Sequence, residues 1–209
     1  MKDSKCKICR RVGEKLLLKG DRCLSTKCSL IKKPYAPGIK GKKRRRVMSE
    51  YGKELQEKQK LKNWYNLRER QFSKYVKEVL EKRGKVEDAG ALLIKKLESR
   101  LDNVIFKMGL ASSHTQARQM VNHGHFLVNE KKVDIPSYQV KKGDKIIIRP
   151  QSLNIGLLKN IQLKLKKYKA PSWLKLNLDK LEAEVIQEPF LEETAPIAEI
   201  SAIFEYYSR

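Results

Sequence analysis

Leu101, Val104, Ile105 and Met108 recur at the spacing of one helical face, and Gly109 follows them. That pattern predicts an amphipathic helix stopped by a glycine that can turn left-handed. Ser113 and Gln116 have the spacing of a capping box, so a second helix should start there and carry Ala117, Met120 and Val121 inward. His123-Gly124 closes it. Phe126, Leu127 and Val128 read as a strand and Asn129-Glu130-Lys131-Lys132 as a turn. Further short strands are expected near Val133 and at Ile146-Ile147-Ile148, the latter after a turn at Lys142-Gly143-Asp144.

Upstream, Ser49 is a candidate cap for a long helical region, with Glu50 in its first turn. Trp64, Tyr65, Leu67, Phe72, Tyr75, Val76, Val79 and Leu80 supply apolar anchors for two or three helices. At helical spacing these aromatics read as core, not as base-stacking platforms. Glu81–Gly90 is a polar link to a helix over Ala91–Leu97. Downstream, Leu153, Leu157, Leu158, Ile161 and Leu165 mark another helix, broken at Pro171-Ser172-Trp173. Leu174, Leu176 and Leu178 alternate with polar residues, as do Leu181, Ala183 and Val185, so two strands are predicted. Ile197–Tyr207 is expected to hold a final strand.

Charge changes this picture. The 209 residues carry a formal net charge of +23. Such a surplus repels itself in a compact fold and is best tolerated beside a polyanion. Residues 1–50 hold 17 Lys and Arg against four acids, whereas residues 170–209 hold three against eight. A basic front suits nucleic acid, and the acidic tail suits either a basic protein or plain solvent. No apolar run approaches the ~18 residues of a membrane-spanning helix, and no leader pattern opens the chain. A soluble cytoplasmic protein with no membrane partner is expected.

Cys6 and Cys9, then Cys23 and Cys28, are all the cysteines in the chain. A two-residue gap lets both thiolates of a knuckle turn face one metal, and the second pair completes a tetrahedron. Leu16-Leu17-Leu18 is the only apolar run there, so metal binding would supply folding energy, on the order of 10 kcal/mol for structural zinc. Structural zinc is the expected cofactor, with an iron–sulfur cluster the lesser alternative. A signal-free basic chain argues against disulfides, and one redox pair leaves Cys23 and Cys28 unexplained. With four protein ligands no coordination position is open for catalysis.

Residues 32–47 combine Pro34, Pro37, Gly38 and Gly41 with Lys40, Lys42, Lys43, Arg44, Arg45 and Arg46. Proline and glycine forbid a helix, so this stretch reads as an extended basic arm that orders on RNA.

Arg100-Leu101-Asp102-Asn103-Val104, Gln116-Ala117-Arg118-Gln119 and His123-Gly124-His125 through Val128-Asn129 resemble the RNA-binding module named after small-subunit ribosomal protein four. His114 and Thr115 stand where that family usually has cations, and Asn129-Glu130 where it usually has Asn-Gly. Tyr35-Ala36-Pro37-Gly38, the cysteine spacing, Ser49-Glu50-Tyr51-Gly52, Glu57-Lys58-Gln59-Lys60-Leu61 and the closing Glu205-Tyr206-Tyr207-Ser208-Arg209 extend the resemblance to the bacterial, zinc-knuckle form of the ribosomal protein four family.

The resemblance implies an α+β fold: a mostly helical body, an inserted module of two helices and short strands, and an N-terminal metal knuckle. The expected parts are 1–47 (knuckle and arm), 48–97 (helical body), 98–150 (module) and 151–209 (helix and strands returning to the body). It also implies a structural constituent of the small subunit, cytoplasmic and on the ribosome, that binds small-subunit ribosomal RNA, nucleates assembly and contributes to accuracy. Implied partners are neighbouring proteins, notably ribosomal protein five, and messenger RNA where it enters the subunit.

Expected RNA contacts are the arm cations, Lys58, Gln59, Lys60, Arg68 and Arg70, and on the module Arg100, Ser113, Gln116, Arg118, His123, His125, Asn129, Lys131 and Lys132. No nucleotide-binding signature or nucleophile–base pairing is legible, so no catalysis and no small-molecule substrate are expected. The competing reading is a fragment of an RNA-modifying or tRNA-charging enzyme. The ~60 residues after the module are few for a catalytic domain.

Overall fold

The computed structural model describes residues 4–39, 41, 47–82, 88–153, 165, 168–177, 181–190 and 198–209. It divides into two compact units, Met1–Gly90 with Pro196–Arg209, and Ala91–Ala195.

The first unit is helical. Short helices α1 (Lys5–Val12), α2 (Asp21–Leu24) and α3 (Ser29–Lys32) precede α4 (Glu50–Trp64) and α5 (Glu69–Leu80). Leu16 and Leu18 pack with Cys9, and Ile8, Val12 and Trp64 close over them. Ser49 caps α4 as expected, its Oγ accepting from the Gly52 N–H at 3.3 Å. On α5 the i, i+4, i+7 positions Phe72, Val76 and Val79 are fully buried, each contributing roughly 1.5–3 kcal/mol. The aromatic region is core, as its spacing predicted, with Tyr51 left largely exposed.

The second unit is a sheet with helices packed on it. It begins within α6 (Ala89–Glu98) and continues through α7 (Leu101–Lys107) and α8 (His114–Asn122). Strands β1 (Phe126–Val128), β2 (Lys131–Lys132), β3 (Lys145–Ile148), β4 (Leu174–Asn177) and β5 (Glu182–Val185) follow. Among the described residues they form one antiparallel sheet in the order β2-β1-β3-β5-β4. Phe126 pairs with Ile148 and Val128 with Ile146, and all four side chains point into the core with Leu101, Val104, Ile105, Ala117 and Val121. The capping box is half reciprocal. Ser113 Oγ accepts from the Gln116 N–H at 3.4 Å, but the Gln116 carbonyl accepts from Ser112, one residue earlier than the standard partner.

Three expectations are corrected. The turn after β1 is two residues long, not four: Asn129 and Glu130 both have positive φ (48° and 66°), the geometry that matches strand twist, so Lys131 and Lys132 join the sheet in place of Val133. The strands at 174–185 extend the module's sheet and do not return to the helical body, because Ala183 pairs with Ile146 of β3. The expected strand over 197–207 is helix α9 (Ile200–Ser208). Ile200, Ile203, Phe204 and Tyr207 fall at i, i+3, i+4, i+7, and α9 packs on α4 and α5 along that stripe. The helix expected from Leu153 to Leu165 lies almost wholly outside the described residues.

Candidate nucleic-acid interface

The basic cluster on the second unit is built where α8 ends. Gly124 (φ +69°) reverses the chain, and a Cβ there would come within 2.4 Å of Lys132 Cε. Glycine is required there for its backbone angle, and its missing Cβ lets the Lys132 side chain lie across it. His123 and His125 flank this glycine with ring centroids 5.7 Å apart. His125 Nδ1 is 3.0 Å from Ser152 Oγ, and the His125 carbonyl accepts from the Arg149 N–H at 2.9 Å. Burial, then the neighbouring His123 and Arg149, push the His125 pKa down, so near neutral pH it can offer or accept a hydrogen bond without a fixed charge. Lys131 and Lys132 are exposed. His123, His125 and Lys132 thus gather around Gly124, with the Arg149 backbone tied to His125, while Lys131 leaves the hairpin on the other side of the sheet. Arg149 was missed from sequence because nothing in its local pattern joins it to a helix end 24 residues earlier.

Other expected contacts turn inward. Arg100 is 1% exposed and grips Asp102 through two bonds of 3.0 and 2.7 Å. Burial pushes the Asp102 carboxyl up, and Arg100 and then Arg118 pull against that. Asn129 brackets the hairpin, donating to Asp144 at 2.8 Å and accepting from the Lys145 N–H at 2.9 Å. Ser113 is buried and, with Gln116, serves the cap.

His114, which stands where a cation was expected, is a core residue. Asn103 donates to the Glu98 carbonyl and carboxylate at 3.1 and 2.7 Å, which leaves its Oδ1 to accept from His114 Nε2 at 3.0 Å. The ring also stacks on Phe106 at 4.1 Å. Burial, then Lys107 and Arg100, lower its pKa to about 3. The network therefore holds a neutral, Nε2-protonated imidazole.

On the first unit, Lys58 and Lys60 were expected to contact RNA phosphate and are buried. Lys58 pairs with Glu69 at 2.8 Å, and Lys60 with Glu14 at 2.9 Å and Glu57 at 3.4 Å. Their apolar stems lie along the helix packing, and their ammonium groups are matched by carboxylates from other segments. Gln59 is half-buried, whereas Arg68 and Arg70 are exposed. Lys40, Lys42, Lys43, Arg44, Arg45 and Arg46 lie outside the described residues.

Residues 1–98 match the Ribosomal protein S4/S9 N-terminal domain and residues 99–146 the S4 domain. The chain is 43% identical over 204 residues to small ribosomal subunit protein uS4 of Natranaerobius thermophilus, covering 98% of this chain and 96% of that one. Over 98% of this chain and 96% of each relative, identity to uS4 of Thermus thermophilus is 42% and to uS4 of a Thermoanaerobacter species 45%. The chain belongs to the uS4 family.

In this uS4 chain the four cysteines are free thiols that line one cavity of about 20 Å³ between α1, α2 and α3. That space exceeds the ~10–15 Å³ that a single water or small ion requires. The Lys19 N–H donates to Cys23 Sγ at 3.3 Å, the kind of bond that favours a thiolate ligand. Burial pushes the Cys9 thiol up, with Cys23, Cys6 and Cys28 adding to it. A hydrogen bond to Ser29 leads in drawing Cys6 down. Among the described residues no group of three or more His, Cys, Asp or Glu side chains is already set for a metal. Four cysteine sulfurs are suitable donors for a metal knuckle, but as placed they are not gathered into a set that could hold one ion.

Proposed function

We propose that this protein is a structural constituent of the small ribosomal subunit that binds ribosomal RNA and helps nucleate assembly of the subunit body. The basic hairpin and helix end that hold His123, His125, Lys131, Lys132 and Arg149, on a sheet-and-helix unit in a chain of net charge +23, carry the reading. Fixed cations replace the counterions that crowd folded RNA, and a rigid unit recognises shape instead of reading bases one by one. The His125–Ser152 contact buries the hydroxyl at 4% exposure, so it is a structural hydrogen bond and gives the enzyme-fragment reading no support.

The finer roles follow the family resemblance: early binding to the five-prime domain of the small-subunit RNA, a contribution to accuracy, and proximity to messenger RNA where it enters. Four cysteine sulfurs lining one small cavity support structural zinc, which would be held by Cys6, Cys9, Cys23 and Cys28 and would stiffen the leading segment.

An acidic groove on the first unit supports a basic protein neighbour, for which ribosomal protein five is the candidate. Glu54 and Glu57 of α4 face Glu199 and Glu205 there. Glu54 is 5% exposed, and while its Oε1 holds Arg209, its Oε2 has no hydrogen-bond partner.

Lys131→Ala with Lys132→Ala tests the RNA reading. Affinity for small-subunit RNA should fall, and the slope of log affinity against log salt should flatten by about 1.5, at roughly 0.7–0.9 for each phosphate no longer neutralised. An unchanged slope removes the hairpin from the interface.

A further inference from the structure

The second unit also holds a cleft of about 450 Å³ that shares no residue with the basic cluster. One bank is α6, with Leu92, Lys95 and Ser99. The other is the segment Gln139–Lys142 together with the residues after β5. Val140, Trp173 and Val185 line it and are at least nine-tenths buried.

Backbone bonds fix these walls. The Val140 N–H donates to Ser99 at 2.8 Å, Gly143 to Val185 at 2.8 Å, and Ile186 to Trp173 at 2.9 Å. The cleft is therefore preformed, as binding sites generally are. Its lining carries four lysines against one acid, Glu188, which is ion-paired with Lys95. Lys141 and Lys142 are exposed, and among the described residues neither makes an ion pair. In the same wall the Trp173 Nε1–H is buried and, among the described residues, has no hydrogen-bond partner.

We propose that this cleft receives one unstacked nucleobase of the bound RNA, with Lys141 and Lys142 on the phosphates that flank it; this rests on the RNA-binding reading and names a second contact for it. The combination of an apolar slot and cationic lips selects the occupant. A nucleobase offers two apolar faces, leaves its polar edge at the mouth, and is tethered to the charge that the lysines need. An acidic peptide fits less well. It would bury backbone groups that require partners, while the lining amides of Val140, Lys141 and Val185 already have theirs. The orphaned Trp173 donor adds a polar group that an entering base carbonyl can satisfy after a small shift of the wall.

The test uses the full chain with small-subunit RNA carrying 4-thiouridine, irradiated and mapped by mass spectrometry. Adducts are expected on peptides containing residues 92–99, 139–142 or 185–189. Lys141→Ala with Lys142→Ala should flatten the salt slope by about 1.5 and weaken binding roughly tenfold or more at ~0.1 M salt. Leu92→Trp, which fills the cleft, should weaken binding at least fivefold with the slope unchanged. If that variant melts early by circular dichroism, adduct mapping on the unaltered chain decides alone. Adducts confined to other peptides, with normal slope in the lysine variant, overturn the cleft while leaving RNA binding intact. Failure of the unaltered chain to bind RNA overturns both. Loss of a co-sedimenting protein in the lysine variant, with RNA affinity unchanged, assigns the cleft to an acidic protein segment and likewise overturns the proposal.

Discussion

Glu69→Gln should loosen the helical unit by about 2 kcal/mol at neutral pH, an effect that fades in acid. Glu69 opens α5 and ties three helices together. Its Oε1 accepts from Lys58 at 2.8 Å and from the Tyr207 hydroxyl of α9 at 2.7 Å, and its Oε2 accepts from Lys62 at 3.0 Å. Burial alone would raise its pKa, but the three donors outweigh that and hold the carboxyl at about 2 against an ordinary 4.5. A difference of that size corresponds to roughly 3.4 kcal/mol at 1.36 per pKa unit. The Glu69 side chain is 45% exposed, so solvent screening reduces this to about 1–2 kcal/mol.

The glutamine leaves the Lys58 ammonium, 4% exposed, without a counter-charge. Stranding a buried charge costs ~3–5 kcal/mol when nothing else receives it. Here the Tyr206 ring, 4.2 Å from Lys58 Nζ, recovers part of that, on the order of 1 kcal/mol. About 2 kcal/mol is the resulting expectation.

Because the folded pKa is depressed, the stabilisation is complete above the unfolded value near 4.5 and is lost as pH falls toward 2. Urea unfolding of both chains by circular dichroism should give the full difference at pH 7 and roughly half or less at pH 3. Adding Lys58→Met to the glutamine variant should restore most of the loss, because the stranded charge goes with it. A difference under about 0.5 kcal/mol at pH 7, or one that does not change with pH, refutes the reasoning.

Chelation, or Cys9→Ser, should speed amide exchange across residues 4–30 and leave the sheet unit's exchange unchanged. Slow exchange there without metal would refute a structural metal. Glu130→Gly should stabilise the second unit by about 0.5–1 kcal/mol, because glycine adopts the left-handed angle of the hairpin turn without Cβ strain; thermal unfolding checks it, and a lower melting temperature would show that the Glu130 side chain contributes something the backbone argument omits.

The sequence by itself determined whatever rests on local periodicity and local backbone chemistry. The stripes of α5 and α7, the Ser49 cap, the Ser113 start of α8 and the alternation of β1, β3, β4 and β5 all follow from side-chain spacing along one element. The surplus of charge and the convergent cysteine spacing were equally open to reading, because both are properties of composition and short separation. Tertiary structure decided which charges face outward. Arg100, Lys58 and Lys60 looked like surface cations, yet Asp102, Glu69, Glu14 and Glu57 take them inward, and for Lys58 (Glu69) and Lys60 (Glu14) a partner comes from another segment.

The same holds for His114, whose neutrality comes from burial and from the nearby Lys107 and Arg100, and for Arg149, brought to His125 by sheet pairing. Helix α9 sat where helical and alternating patterns overlap, and only its packing on α4 and α5 resolved it. The strands at 174–185 were legible as strands, and pairing with β3 decided which sheet they joined. Period and composition are carried by a residue's chain neighbours, whereas the protonation, exposure and pairing of an ion are set by groups that only folding brings within a few ångströms.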